Sequence, residues 1–255
     1  RHEVEDLLAA AAPSPDMPGG AGAQAPGDGA QNDVKALIAP HAGYVYSGPI
    51  AASAYARLTR PEAIRRVVLL GPAHRLPFRG FAYPDATAFA TPLGSVPVDR
   101  DALAAVAGLP QVRPLDMAFD GEHCLEVQLP FLQARLADFG IVPLLVGDAT
   151  DAEVAAVLER LWDGPETLIV ISSDLSHYLD YDNARAIDSR TSEAICALRP
   201  EAIATRQACG RHPIGGLLTA ARRHHLHAAQ LDLRNSGDTA GPRDRVVGYG
   251  AYAFG

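Results

Sequence analysis

Three stretches that end in histidine, VKALIAPH (34–41), RVVLLGPAH (66–74) and TLIVISSDLSH (167–177), decide the fold. Each begins with a short apolar run, and such runs are typical of strands buried on both faces of a parallel sheet covered by helices. Open α/β sheets bind their ligands outside the carboxyl ends of the strands. We therefore expect one sheet to bring His41, His74 and His177 to the same edge.

Helices and further strands are predicted around these three runs. Ser47 is the expected N-cap of a helix that continues to Leu58. The leucine spacing of residues 122–136 indicates an amphipathic helix, kinked or irregularly started at Pro130. Residues 81–98 alternate and contain prolines, which favours short antiparallel strands. The fold class that follows is α/β, with a mixed, mostly parallel sheet covered by helices.

The N-terminal part differs in composition from the rest. A short helix is predicted from Val4 to Ala12, and the segment Pro13 to Asp33 is rich in Pro, Gly and Ala. We interpret this segment, 13–33, as a mobile surface loop without a chemical role, because it offers too little apolar surface to offset its ordering entropy. No repeat divides the 255 residues, so a single domain over 1–255 is expected.

Charge and cysteine content narrow the class of partner. The chain has 22 Lys and Arg against 30 Asp and Glu, a formal net charge of -8. This balance disfavours nucleic acid and anionic membranes, and no apolar stretch approaches the roughly 20 residues that span a bilayer. A small molecule, peptide or protein partner is expected instead. Three cysteines form no paired framework, which favours a reducing cytoplasm.

Cys209 is the thiol with a predicted chemical role. It directly precedes a helix that Pro213 opens, and the positive end of a helix dipole lowers the pKa of a nearby thiol. Two histidines with either a thiolate or a carboxylate are a minimal set for a divalent first-row metal. The predicted ligands are His41, His74 and Cys209, on condition that they converge in space.

Two further histidines are candidates for proton transfer. Asp174 and His177 are three residues apart after a buried strand, and a carboxylate beside an imidazole raises its basicity. His177 is therefore a candidate general acid or base, unless Asp174 only caps a turn and His177 only binds backbone. His123, at the expected start of the 122–136 helix, faces either the same cavity or solvent.

Six motifs in order resemble one family closely. They are PHAGYVYSG (40–48), LLGPAH (69–74), EHCLEVQLPFL (122–132), VPLLVG (142–147), ISSDLSHY (171–178) and CGRHPIGGLL (209–218). Together they look like the successive motifs of the MEMO family, whose microbial members are the B proteins of the AmmeMemoRadiSam system. The resemblance runs from about Val34 to the C-terminus, and the system's name implies a radical-SAM protein as a partner.

The resemblance also implies a fold and a site. The MEMO fold is similar to that of LigB-type class III extradiol dioxygenases, which hold ferrous iron with two histidines and a carboxylate. It implies metal ligands at His41, His74 and Cys209, an active-site histidine at His177, and Asp174 and His123 in the pocket. Because a cysteine replaces the carboxylate, dioxygenase activity does not carry over. The expected cofactor is a divalent metal ion, Fe(II) first, with copper or zinc as alternatives.

Three functions are consistent with this sequence. The first is a metal-dependent redox or oxidative step on a small molecule, with a non-haem, dioxygenase-like site. The second is a metal-dependent hydrolase, in which the ion lowers the pKa of bound water. The third is a non-enzymatic module that binds a peptide or protein and keeps a vestigial site. The sequence leaves the substrate open.

Overall fold

A nine-stranded mixed sheet lies at the centre of the protein. The structure is a computed structural model and describes residues 1–11 and 33–255. The strands are β1 (Ala36–Ala39), β2 (Arg66–Pro72), β3 (Phe81–Tyr83), β4 (Ala88–Thr91), β5 (Gly94–Pro97), β6 (Val112–Pro114), β7 (Gly140–Val146), β8 (Thr167–Ser172), β9 (His177–Leu179), β10 (Ala228–Asn235) and β11 (Val246–Phe254). The helices are α1 (His2–Ala11), α2 (Tyr44–Ala56), α3 (Arg100–Ala107), α4 (Leu129–Arg135), α5 (Asp151–Arg160), α6 (Tyr181–Cys196) and α7 (Arg211–Arg223).

The strand order places three motif-bearing strands side by side. The order is β10-β11-β1-β8-β2-β7-β3-β6, with β9 paired to β11, while β4 and β5 form a separate hairpin. Strands β1, β8, β2 and β7 are parallel, and the flanking pairs β1–β11 and β7–β3 are antiparallel. Because β1, β8 and β2 are parallel neighbours, the loops that follow them leave the sheet at one edge.

Helices flank this sheet and complete one continuous hydrophobic core. Helix α2 packs on β1, β10 and β11 and also contacts α1 and α4. Helix α7 packs on β2, β8 and α5, and α6 packs on β10 and β11. Every residue of β8 is buried, as expected for a strand covered on both faces. The predicted α/β class, with a mixed sheet covered by helices, is confirmed.

Two helix boundaries differ from the predictions. Helix α2 begins at Tyr44 rather than after Ser47. The Ser47 hydroxyl therefore lies inside the helix, and it donates to the carbonyl of Ala42, which precedes the helix (2.8 Å). The predicted helix 122–136 is shorter: a 3₁₀ turn at Glu126–Gln128 precedes α4, and Pro130 lies in the first turn of α4. Residues 122–125 are not helical because the Glu122 carboxylate accepts the amides of the two residues that follow it.

Other predictions concern the ends of the chain and its hairpin. The N-terminal helix is confirmed at His2–Ala11. The segment predicted as a loop, 13–33, lies outside the described residues except for Asp33. The short antiparallel strands predicted within 81–98 are confirmed by the β4–β5 hairpin and by the β3–β7 pair. Within residues 1–11 and 33–255, no helix is both long and apolar enough to cross a bilayer.

Candidate metal centre

The candidate site lies beyond the carboxyl ends of three adjacent strands. His41 follows β1, His74 follows β2, and Asp174 follows β8. Cys209 reaches the same edge from the turn that leads into α7, where its amide donates to the Asp174 carbonyl (3.3 Å). Strand order therefore brings His41, His74 and Asp174 to one edge of the sheet, and the turn before α7 adds Cys209 to them.

Two imidazoles and one thiol converge in this cluster. The donor atoms of His41, His74 and Cys209 all lie within 4.8 Å of one another. His41 Nε2 is 3.4 Å from Cys209 Sγ, and the ring centroids of His41 and His74 are 5.2 Å apart. The predicted convergence is therefore observed, and imidazole with thiolate is a donor set that suits first-row metals.

Burial controls the charge of His41. Its side chain is only 4% exposed, and this burial, reinforced by the nearby His74 and His123 and opposed by Asp174, lowers its pKa. His41 is therefore neutral at pH 7 and has a lone pair to offer. A neutral imidazole is the form that binds a metal.

The prediction for the Cys209 thiol is wrong in its sign. Burial, together with the negative charge of Asp174, raises the pKa of Cys209 to about 12. Hydrogen bonds to the sulfur, including one from the Asp174 amide (3.2 Å), oppose this rise without outweighing it. The helix N-terminus does not compensate for lost hydration, so the metal-free cysteine is a thiol at neutral pH.

Asp174 contacts His41 rather than His177. Its Oδ1 accepts the His41 amide (2.8 Å), and its Oδ2 lies 3.9 Å from His41 Nε2. The pairing of Asp174 with His177 is not observed. The alternative left open by the sequence holds for His177, because its Nδ1 donates to the backbone carbonyl of Leu175 (2.9 Å). Asp174 Oδ2 is thus a buried oxygen beside the donor cluster.

His123 and His177 occupy different positions relative to the cluster. The ring of the exposed His123 lies 6.3 Å from that of His41 and 6.4 Å from that of His74, so His123 is at the open side of the cluster. His177 starts β9, which pairs with β11. The next residue, Tyr178, is exposed and has a left-handed backbone (φ 61°), a strained conformation of the kind found near functional sites.

The sequence did not identify the residues that form hydrogen bonds to the two candidate metal-binding histidines. The Glu122 carboxylate contacts His74 Nδ1 at 3.1 and 3.2 Å, and the Ser172 hydroxyl contacts His41 Nδ1 at 2.9 Å. Although burial raises the pKa of Glu122, bonds from His74 and from the Cys124 amide hold it well below its usual range. In the sequence, the position of Glu122 next to His123 was the signal that pointed to it, because its partner His74 is 48 residues away.

A second group of donors overlaps with the first. His74, Glu122 and Cys124 also lie close enough together to share an ion. However, Glu122 already accepts three backbone amides, and the buried Cys124 thiol donates to the Pro72 carbonyl (3.3 Å). Burial, with the charge of Glu122, raises the pKa of Cys124 far above its usual value. The first group therefore has the more available donors.

The fold and the cluster define a class of protein: α/β proteins with two histidines and a cysteine gathered at the carboxyl edge of the sheet. A family model described as "Memo-like protein" matches residues 21–253. The chain belongs to the MEMO family, as the six motifs predicted.

Relatives and one solved structure agree with this assignment. The chain is 38% identical over 240 residues to a MEMO1 family protein of Aeropyrum pernix, covering 88% of this chain and 85% of the relative. It is 36% identical to MEMO1 family proteins of Methanosarcina mazei (87% and 86% covered) and Aquifex aeolicus (84% and 84%). A crystal structure of an uncharacterized protein of Escherichia coli K12 is similar in fold, with TM-score 0.55, 16% identity, and coverage of 87% of this chain and 100% of that one.

Proposed function

We propose that this MEMO-family protein binds a divalent metal ion and performs a metal-dependent redox step on a small molecule. The observation that supports the proposal most strongly is the meeting of His41, His74 and Cys209 donors within 4.8 Å. These three residues would hold the ion, with Fe(II) the expected metal and copper or zinc the alternatives. When bound, iron or copper would exchange electrons and polarise a substrate oxygen, whereas zinc would only polarise it.

The neighbouring side chains have proposed roles in proton transfer. His177 donates from Nδ1 to the Leu175 carbonyl, which leaves Nε2 as its basic nitrogen. We assign His177 the uptake and return of a substrate proton, as in general acid–base catalysis. Asp174 Oδ2 and the His123 ring would line the substrate's approach, since Asp174 lies beside the cluster and His123 at its open side.

The Cys209 proton links metal binding to pH. The thiol has a pKa raised to about 12, so the thiolate needed for binding forms only by release of a proton. Metal affinity is therefore expected to rise about tenfold per pH unit between pH 6 and 8. Asp174 alone, acting as a carboxylate ligand, would give no such slope in this range.

Replacing Cys209 by serine tests the ligand set. The variant is expected to lose stoichiometric metal after purification without a chelator or polyhistidine tag, and to bind Zn²⁺ or Fe²⁺ at least tenfold more weakly, because a serine oxygen is a poorer donor than a thiolate. Elemental analysis and anaerobic titration measure both effects. Cys196→Ser is the matched control, since Cys196 is a half-buried thiol at the end of α6.

Oxygen uptake then separates the candidate reactions. The protein is first loaded with Fe²⁺ under anaerobic conditions and is then exposed to oxygen. It is expected to consume oxygen, or to change redox state, when candidate small molecules are added. An activity that needs no oxygen and is supported by Zn²⁺ would contradict the redox proposal and indicate a hydrolase. Unchanged metal content in Cys209→Ser would contradict the ligand assignment itself.

A further inference from the structure

The hydrogen bond of His41 can be assigned a direction. Ser172 Oγ lies 2.9 Å from His41 Nδ1 and 2.6 Å from the Cys124 carbonyl oxygen. A carbonyl oxygen can only accept, so the single hydroxyl proton of Ser172 points to Cys124. Ser172 must then accept from His41, which places the ring proton on Nδ1.

Gln128 donates to Ser172, which excludes an arrangement in which the Ser172 proton points to Gln128. Its Nε2 donates to the Pro40 carbonyl (2.9 Å) and to Ser172 Oγ (2.8 Å), and its Oε1 accepts from the Tyr55 hydroxyl (2.7 Å). The Pro40 oxygen fixes which end of the amide is nitrogen, because it cannot donate. Tyr55, Gln128 and Ser172 are all fully buried, so no water competes for these bonds.

The bond of His74 has the same direction for a different reason. Besides His74 Nδ1, the Glu122 carboxylate accepts the backbone amides of His74 (2.8 Å), His123 (3.0 Å) and Cys124 (3.1 Å). Three of these partners are backbone N–H groups, which can only donate, and such surroundings favour an ionised carboxylate, which can only accept. The proton of the His74 ring is therefore also on Nδ1.

One residue joins the two arrangements. The Cys124 amide donates to Glu122 and the Cys124 carbonyl accepts from Ser172, so the backbone of Cys124 connects the support of His74 with that of His41. Both rings consequently have an unprotonated Nε2, and His41 Nε2 lies 3.4 Å from Cys209 Sγ.

We propose that Glu122 and Ser172 are positioning residues that lock His74 and His41 in the Nδ1–H tautomer, so that both Nε2 atoms are ready to bind a metal before it arrives. This inference rests on the proposed function for its purpose, but the tautomers exist without a metal. The carboxylate behind His74 makes that ring the stronger donor, whereas the hydroxyl behind His41 only orients it.

Nitrogen-15 NMR of the metal-free protein tests the tautomers directly. Ring signals of ¹⁵N-histidine protein at pH 8, assigned with His41→Ala and His74→Ala, are expected to show Nδ1–H with bare Nε2 for both residues. Either ring protonated on Nε2, or a mixture of tautomers, would overturn the proposal. The tautomers are read from the spectrum of the unaltered chain, and the two variants serve only to assign its signals.

Glu122→Gln is expected to reverse the tautomer of His74. The glutamine oxygen can accept the His123 and Cys124 amides. Its NH₂ then replaces the oxygen that lies 2.8 Å from the His74 amide and 3.2 Å from His74 Nδ1, so it donates to Nδ1 and forces the ring proton onto Nε2, while the His74 amide loses its acceptor. Zn²⁺ affinity is expected to fall about 10–100-fold. Glu126→Gln, at an exposed position of the same segment, is the control and should change neither.

The outcomes separate this inference from the proposed function. An unchanged His74 tautomer in folded Glu122→Gln would overturn the inference even if the wild type binds metal. Two Nδ1–H rings in a protein that binds no metal would support the lock and overturn the proposed function instead. Glu122→Asp keeps a carboxylate and should retain the wild-type tautomer, which a purely steric role for Glu122 would not explain.

Discussion

Gly216→Ala is expected to lower the free energy of unfolding by about 2–3 kcal/mol, which is a change of about 30- to 150-fold in the folding equilibrium. Gly216 lies in α7 where this helix packs on α5. A Cβ at Gly216 would stand 2.1 Å from Val154 Cγ1 and 2.2 Å from Val154 Cβ, so the two helices would have to separate. Alanine favours helix over glycine by about 1 kcal/mol, which is too little to offset this overlap.

The effect should extend to the candidate metal centre, because α7 begins two residues after Cys209. A shift of α7 would move the thiol relative to His41 and His74, so weaker metal binding is expected together with lower stability. Urea denaturation and Zn²⁺ titration measure both quantities.

Gly108→Ala is the matched control for this substitution. Gly108 is the C-cap of α3, has a negative φ, and has no atom within 4 Å of an added Cβ. The free energy of unfolding of the Gly108→Ala variant should stay within about 1 kcal/mol of the wild-type value. Equal stabilities of the two variants would show that α5 and α7 do not pack as closely as described.

The strands and their histidines were predictable because their signals are local. A buried apolar run that gives way to proline or a polar residue marks a strand end, as where Pro40 and His41 follow Ala39. Strands that run parallel bring such ends to one edge, which is why His41 and His74 could be paired across 33 residues of sequence. Strand order itself was not predictable, yet any order with these strands as neighbours gives the same edge.

The electrostatics of the site were not predictable in the same way. The sequence shows that Cys209 precedes a helix, which argues for a lowered pKa, but it does not show how deeply the sulfur is buried. Desolvation depends on every element packed around the atom, and here it outweighs the helix dipole. The sign of the shift therefore required coordinates.

The supporting residues were missed because their contacts are remote in sequence. Ser172 reaches His41 across 131 residues and Gln128 reaches Pro40 across 88. Serine at the end of a strand and glutamine in an amphipathic segment are ordinary residues without a motif. Their role follows only from which atoms can donate and which can only accept, and this requires the atoms to be placed.

A buried carboxylate binds the loop between β8 and β9, which contains Asp174 and ends at His177. Asp188 of α6 is 3% exposed, and its two oxygens accept the amide and the hydroxyl of Ser176, each at 3.0 Å. Burial raises the pKa of Asp188 to about 6, more than these two hydrogen bonds lower it. Ionisation of one side chain is therefore coupled to the loop beside the candidate centre.

This pKa predicts a specific dependence of stability on pH. The folded protein holds the Asp188 proton up to about pH 6, whereas the unfolded chain releases it near pH 4, so the folded state binds more protons in between. The contribution of Asp188 to stability is therefore full below pH 4 and is lost as the pH rises through 6. A difference of about two pKa units corresponds to about 3 kcal/mol.

Asp188→Asn isolates this contribution. The asparagine oxygen can still accept the Ser176 amide, and its NH₂ can donate to the Ser176 hydroxyl, but no charge forms. Relative to the wild type, the variant is expected to gain about 3 kcal/mol of stability between pH 4 and pH 8, measured by urea denaturation at each pH. Glu193→Gln, at an exposed position on the same helix, should show no such trend. If the stability difference between Asp188→Asn and the wild type did not change with pH, the pKa of Asp188 would not be raised by burial.

The amide resonance of Ser176 in the wild type gives a second measurement. It should shift with a midpoint near pH 6, and this links the titration to the loop that carries Asp174 and His177.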